Sequence, residues 1–217
     1  MRERPILFSA PMVRALLAGR KTVTRRLVKW PRWADDDATR ELLVPPPHEV
    51  WLSTVGEGGA DARLPPYAEV GDRLWVKETW RLGASRTQVA WNITYTADGQ
   101  TLVSDIGRVP ETWRMPKAAK RGNVSPLFMP RWASRLTLEV TDVRIERLWA
   151  ITEEDAVAEG VERREPGSFL VLGSEDEPPL YDTAREAFEH LWCDINGPGS
   201  WAANPWVWRV AFRVVTP

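Results

Sequence analysis

From Leu136 to Leu148 the chain reads Leu-Thr-Leu-Glu-Val-Thr-Asp-Val-Arg-Ile-Glu-Arg-Leu. Apolar and polar residues alternate along this run, which is the period of a β-strand with one buried and one open face. It predicts a long half-buried strand or a bent pair. Thr152 follows as a helix N-cap, with Glu153, Glu154 and Asp155 complementing the first turn and Gly160 ending the helix.

Other segments carry similar signals. Ile6-Leu7-Phe8 is a short strand, followed by a helix that starts at Pro11, places Met12 and Leu16 on one face, and stops at Gly19. Thr22-Val23-Thr24 favours a strand. After the Gly71-Asp72 turn, residues 74–80 form a strand with Trp75, Lys77 and Thr79 on one face and Val76, Glu78 and Trp80 on the other. Val89 to Tyr95 is another strand, turning at Asp98-Gly99. Thr183 to Ile195 is a helix with Phe188, Leu191, Trp192 and Ile195 at helical spacing, closed by Gly197. Trp206 to Val214 is the last strand. Residues 31–70, with Asp35-Asp36-Asp37 and Pro45-Pro46-Pro47, read as an irregular insertion with a hairpin near Val50-Trp51-Leu52. Residues 104–130 read as a second insertion. The expected architecture is α+β: one domain over 1–217, a small mixed β-barrel or curled sheet with about three helices and two long loop insertions. The element order does not suggest βαβ repeats, and no Gly-rich phosphate loop appears.

Composition removes several classes of function. Cys193 is the only cysteine and His48 and His190 are the only histidines, so neither a disulfide framework nor a His/Cys metal site is expected. No apolar run is long enough for a membrane span, and no signal-peptide core opens the chain. The expectation is a cytoplasmic protein with no membrane partner and no cofactor. Net charge is −1, but unevenly spread. Residues 1–34 hold nine Arg/Lys against one acid, whereas residues 150–190 hold twelve acids against three arginines. Such asymmetry sets up a local positive field on a nearly neutral chain, or marks two solvated faces. Thirteen tryptophans supply core mass, and some have the wide flat face on which bases stack.

The densest functional signal is Gly19-Arg20-Lys21-Thr22-Val23-Thr24-Arg25-Arg26. The arginines suit phosphate. A Thr hydroxyl becomes a nucleophile when a base takes its proton, and a lysine whose pKa is lowered by burial or neighbouring cations serves as that base. Glu78 shares a strand face with Trp80, a pair able to stack on a base and accept from its exocyclic amine. The plainer alternatives are a solvated strand start for Lys21 and Thr24, and a structural ion pair for Glu78. Arg25 and Arg26 alternate across a strand, so only one of them faces any given site. Trp206 and Trp208 fit the core.

In this arrangement the chain resembles the ASCH family, whose fold is related to the PUA barrel. The match is carried by the helix with Gly19 to Arg26, by Gly71-Asp72-Arg73-Leu74-Trp75-Val76, by strand 136–146 leading into Ile151 to Gly160, and by the aromatic strand from Pro205. The longer form, with Trp75 to Trp80 and Met129-Pro130-Arg131-Trp132-Ala133-Ser134-Arg135, looks like phage or prophage members, acting in a bacterial host cell. The resemblance implies nucleoside or nucleic-acid handling. Small members are amidohydrolases of N4-acetylcytidine, and by position their Lys, Thr and Glu correspond to Lys21, Thr24 and Glu159. The expected catalytic residues are therefore Lys21, Thr24, Glu159 and Glu78. The plainer alternative for Glu159 is a surface place on an acidic helix. Arg20, Arg25, Arg26, Trp80 and Arg131 are expected to bind substrate or nucleic acid, with no metal. Group transfer to cytosine N4, such as ADP-ribosyl transfer from NAD, is a rival reading. So is a non-catalytic module that binds RNA or other single-stranded nucleic acid. The small members are about half this length, so the insertions stand to cover or reshape their pocket.

Overall fold

A computed structural model of the chain describes residues 1–30, 32, 34, 36–43, 68–84, 90–105, 109–110, 112–117, 122–164, 167–170 and 179–215. The hairpin expected near Val50-Trp51-Leu52 lies outside the described residues, as does much of both insertions. The class is α+β, with four α-helices among the described residues. No sheet among the described residues has its first strand paired with its last, the step that closure requires, so the expected α+β class holds and the small mixed β-barrel is met only in part. No helix among the described residues is long and apolar enough to cross a membrane. The chain divides into two compact units, residues 1–21 with 72–139 and 213–217, and residues 22–71 with 140–212.

In the first unit, β1 (Glu3–Leu7) runs parallel to β3 (Arg73–Lys77), with Glu3 opposite Arg73 and Leu7 opposite Lys77. The first residues of β7 (Thr137–Arg147) pair antiparallel with β3, Leu138 opposite Leu74. The Gly71-Asp72 turn anchors the start of β1, because buried Asp72 accepts the Arg2 N–H at 2.7 Å. Helix α1 (Ala10–Leu17) buries Met12, Val13, Ala15 and Leu16, as its periodicity requires. It ends in a Schellman turn: Gly19 N–H donates to Leu16 O and Arg20 N–H to Ala15 O, with Gly19 at φ 70°. β4 (Trp80–Ala84), β5 (Ala90–Tyr95) and β6 (Thr101–Asp105) form an antiparallel meander. The single strand expected over 74–80 is therefore two. The inside–outside alternation still runs unbroken across the break, with Leu74, Val76, Glu78 and Trp80 buried. Trp80, Leu82, Ile93, Tyr95, Val124 and Met129 make an apolar core under the meander.

In the second unit the strand order is β7–β10–β2, with β2 spanning Val23–Leu27 and β10 Trp206–Val215. β2 and β10 are antiparallel, placing Thr24 opposite Val210 and Arg25 opposite Arg209. Trp206 and Trp208 are buried, as expected of core residues. Helix α2 (Asp37–Leu43) lies where irregular chain is expected. Its start is made by Asp36, whose carboxylate accepts both the Thr39 N–H and hydroxyl at 2.7 Å. Helix α3 (Glu153–Ala158) is capped by Thr152, whose hydroxyl accepts the Asp155 N–H. A short hairpin follows, β8 (Glu162–Arg164) and β9 (Ser168–Leu170). Helix α4 (Ala184–Asn196) begins with a full Thr183/Glu186 capping box and buries Phe188, Leu191 and Trp192, while Ile195, expected on the same face, is 63% exposed.

Candidate functional site

The second unit holds a buried charge cluster that alternation alone does not reveal. In the last part of β7 the apolar phase shifts by one, so that Ile145 is buried beside Glu146. Asp142, Arg144 and Glu146, at i, i+2 and i+4, share the other strand face. Opposite them stand the two arginines of the β2–β10 pair. The side chain of Arg25 is 0% exposed. Its Nε and Nη2 donate to Glu146 Oε1 at 3.0 and 2.6 Å, Nη2 donates to Asp155 Oδ2 at 2.6 Å, and Nη1 to Glu159 Oε1 at 3.3 Å. Arg209 donates to Asp155 from Nη2 at 2.7 Å and to Asp142 from Nη1 at 3.1 Å. Arg144 Nε donates to the second oxygen of Glu146 at 2.9 Å.

Asp155 and Glu159 meet these arginines because they lie four residues apart, on one face of α3 and its C-cap. The Thr22 N–H fixes the end of that helix to β2 by donating to Ala158 O at 2.9 Å. Burial alone would raise the Asp155 pKa. Hydrogen bonds from Arg209 and Arg25 outweigh burial and hold it at about 2. The Arg209 guanidinium is held above its ordinary pKa, the bonds to Asp155 overcoming the opposing effect of its own burial.

Glu159 is thus a buried carboxylate, 3% exposed, and not a surface member of an acidic helix. Arg25 is a buried hub of three carboxylates rather than an open phosphate holder. Thr24, its neighbour on β2, is also buried, and its hydroxyl accepts from Arg26 Nη1 at 3.0 Å. Sequence reasoning misses Glu146, Asp155 and Arg209 as members of a site. Their signals are the charge triplet 142/144/146 on one strand face, the i, i+4 acids on α3, and the arginine flanked by apolar residues in the first half of β10.

In the first unit, Glu78 is 1% exposed and receives both Nε and Nη2 of Arg135 at 2.9 Å. Arg135 also donates to Asp98 at 2.8 Å, and its guanidinium lies 4.0 Å from the centre of the Tyr95 ring. Burial raises the Glu78 pKa above the ordinary carboxylate value, against the lowering effect of Arg135. Tyr95 is pushed up by burial as well, and its hydroxyl donates to Ala133 O at 2.8 Å. This is the structural ion pair that stood as the plain alternative for Glu78. Trp80, expected to stack on a base, is 0% exposed within the apolar core, with no ring face open to solvent. Its role is corrected to core packing.

Lys21 is 2% exposed, and its Nζ lies 5.5 Å from the centre of the Phe8 ring. Arg20, at the foot of the Schellman turn, is half-buried. Arg131 is exposed and paired with Glu3 at 3.1 Å. No group of His, Cys, Asp or Glu among the described residues is arranged to hold a metal ion. Compared with protein-family models, curated proteins and solved structures, the chain matches none.

Proposed function

We propose that this chain is an ASCH-type, PUA-like enzyme that hydrolyses the acyl amide of an N4-acylated cytidine. One observation supports the reading most directly. Lys21, Thr24 and Glu159, the three residues the resemblance points to, are 2%, 1% and 3% exposed. A solvated strand start and an acidic surface helix would leave such side chains in water. Burying a lysine, a hydroxyl and a carboxylate is unfavourable unless each is partnered, and chemistry that needs reactive groups away from water is a reason to retain them.

In this reading Thr24 is the nucleophile, and Lys21 is the base that the resemblance implies. The Thr24 oxygen attacks the acyl carbon as its proton passes to the base, the C–N bond breaks, and that same proton is handed on through the Glu159 carboxylate to the leaving exocyclic amine. Water then cleaves the Thr24 ester, releasing the carboxylic acid and restoring the hydroxyl. The test is direct: purified protein is incubated with N4-acetylcytidine and cytidine is measured by chromatography. Lys21→Ala and Thr24→Val are expected to lose on the order of 10²-fold or more in turnover. A wild-type protein that releases no cytidine overturns the proposal.

A further inference from the structure

Arg25 sits in a dense run of cations, where a phosphate contact is the natural assumption. Its geometry argues otherwise. The side chain is 0% exposed, and each of its three nitrogens donates to a carboxylate of the same unit. The bonds are unequal. Glu146 and Asp155 take the short ones at 2.6 Å, and Glu159 takes the longer one at 3.3 Å through Nη1. The two short bonds fix the guanidinium plane. Glu146 is itself steadied by Arg144, and Asp155 by Arg209. A planar fork fixed at one side presents its remaining nitrogen in a set direction. The Arg25 ring contact agrees with a locked orientation, its guanidinium carbon standing 5.9 Å from the Phe188 ring centre.

We propose that Arg25 is a positioning residue that acts through Glu159. Glu146 and Asp155 orient the guanidinium, and Nη1 then sets the rotamer of the Glu159 carboxylate. This inference rests on the proposed role of Glu159 and goes beyond it, because it assigns Arg25 away from substrate phosphate and adds Glu146 and Asp155 as its supports. A lysine at position 25 keeps the charge but lacks the fork, so it does not hold three carboxylates in one plane.

The test compares N4-acetylcytidine with its 5′-monophosphate as substrates for wild type, Arg25→Lys, Glu159→Gln and the double variant, with thermal melts alongside. Arg25→Lys is expected to lower kcat on the order of 10²-fold for both compounds, with the ratio of their KM values unchanged. The double variant is expected to be no slower than Glu159→Gln alone, since Arg25 has no other route to the reaction. If Arg25→Lys raises KM for the monophosphate only, or if the losses multiply in the double variant, the positioning role is overturned while the function stands. If wild type hydrolyses neither compound, the function falls and the inference with it. Should Arg25→Lys not fold, Asp155→Asn probes the same support without altering Arg25 or Glu159. It is expected to lower kcat equally for both substrates, and an unchanged kcat overturns the proposal.

Discussion

Arg25 and Arg209 stand opposite each other on paired antiparallel strands, and both guanidiniums close on the carboxylate of Asp155. Two like charges directly across a strand pair repel unless something lies between them. Asp155 is that something, with Glu146 and Glu159 sharing the load on Arg25 and Asp142 on Arg209. Helix α3 is held along its length: Thr152 caps its first turn, Asp155 meets the arginines, and the carbonyl of Ala158 accepts from the Thr22 N–H.

The acid limb of stability is expected to carry the signature of Asp155. Its ordinary pKa of 3.8 falls to about 2 in the folded chain. Between those values the unfolded state binds the proton first, so stability falls as pH falls through the window and is fully present above it. Asp155→Asn is expected to be less stable at neutral pH and to show a flatter loss below pH 4. Urea midpoints measured across that range check the slope.

Arg135 is expected to matter more for stability than an exposed arginine. Removing it leaves Glu78 buried without its bidentate partner, at a cost of about 3–5 kcal/mol. Arg135→Ala is the variant, and chemical unfolding gives the number. Glu78→Gln is expected to be milder, and its pH trend is the reverse of that for Asp155. Because the folded Glu78 pKa is raised, wild type loses stability relative to Glu78→Gln as pH rises from the ordinary carboxylate value upward.

Trp80 separates core from binding surface. Trp80→Ala is expected to destabilise by about 3–5 kcal/mol through the cavity it leaves. Trp80→Phe is expected to cost much less, partly because the indole N–H is buried with no hydrogen-bond partner among the described residues. If Trp80→Phe leaves the melting temperature near wild type yet abolishes nucleoside binding, the core assignment is wrong.

Thr183→Ala is expected to remove one half of the α4 capping box and lower stability by about 1 kcal/mol, with no effect on turnover. Gly19→Ala is expected to cost a similar amount, because φ 70° strains any residue with a Cβ. Thermal melts beside the nucleoside assay check both.

Local signals in the sequence determined much of the outcome. Pro11 and Gly19 bounded α1, Thr152 and Gly160 bounded α3, and Thr183 and Gly197 bounded α4, because caps and stops are written within a few residues of the backbone groups they satisfy. Period-2 alternation put Glu78 and Trp80 on one strand face for the same reason, and the fold buried that face. Asp36 and Asp37 carried a helix start too, but the Pro- and Gly-rich surroundings masked it. Whether a buried charge meets a partner was decided only by tertiary structure. Arg25 contacts Glu146, Asp155 and Glu159 across separations of 121, 130 and 134 residues, and Arg135 reaches Glu78 across 57. Coulomb attraction in a low-dielectric interior depends on where the fold brings those groups, and no local pattern encodes that distance. Lys21 and Thr24 were legible as reactive residue types, and their removal from water was set by the packing of the folded chain around them.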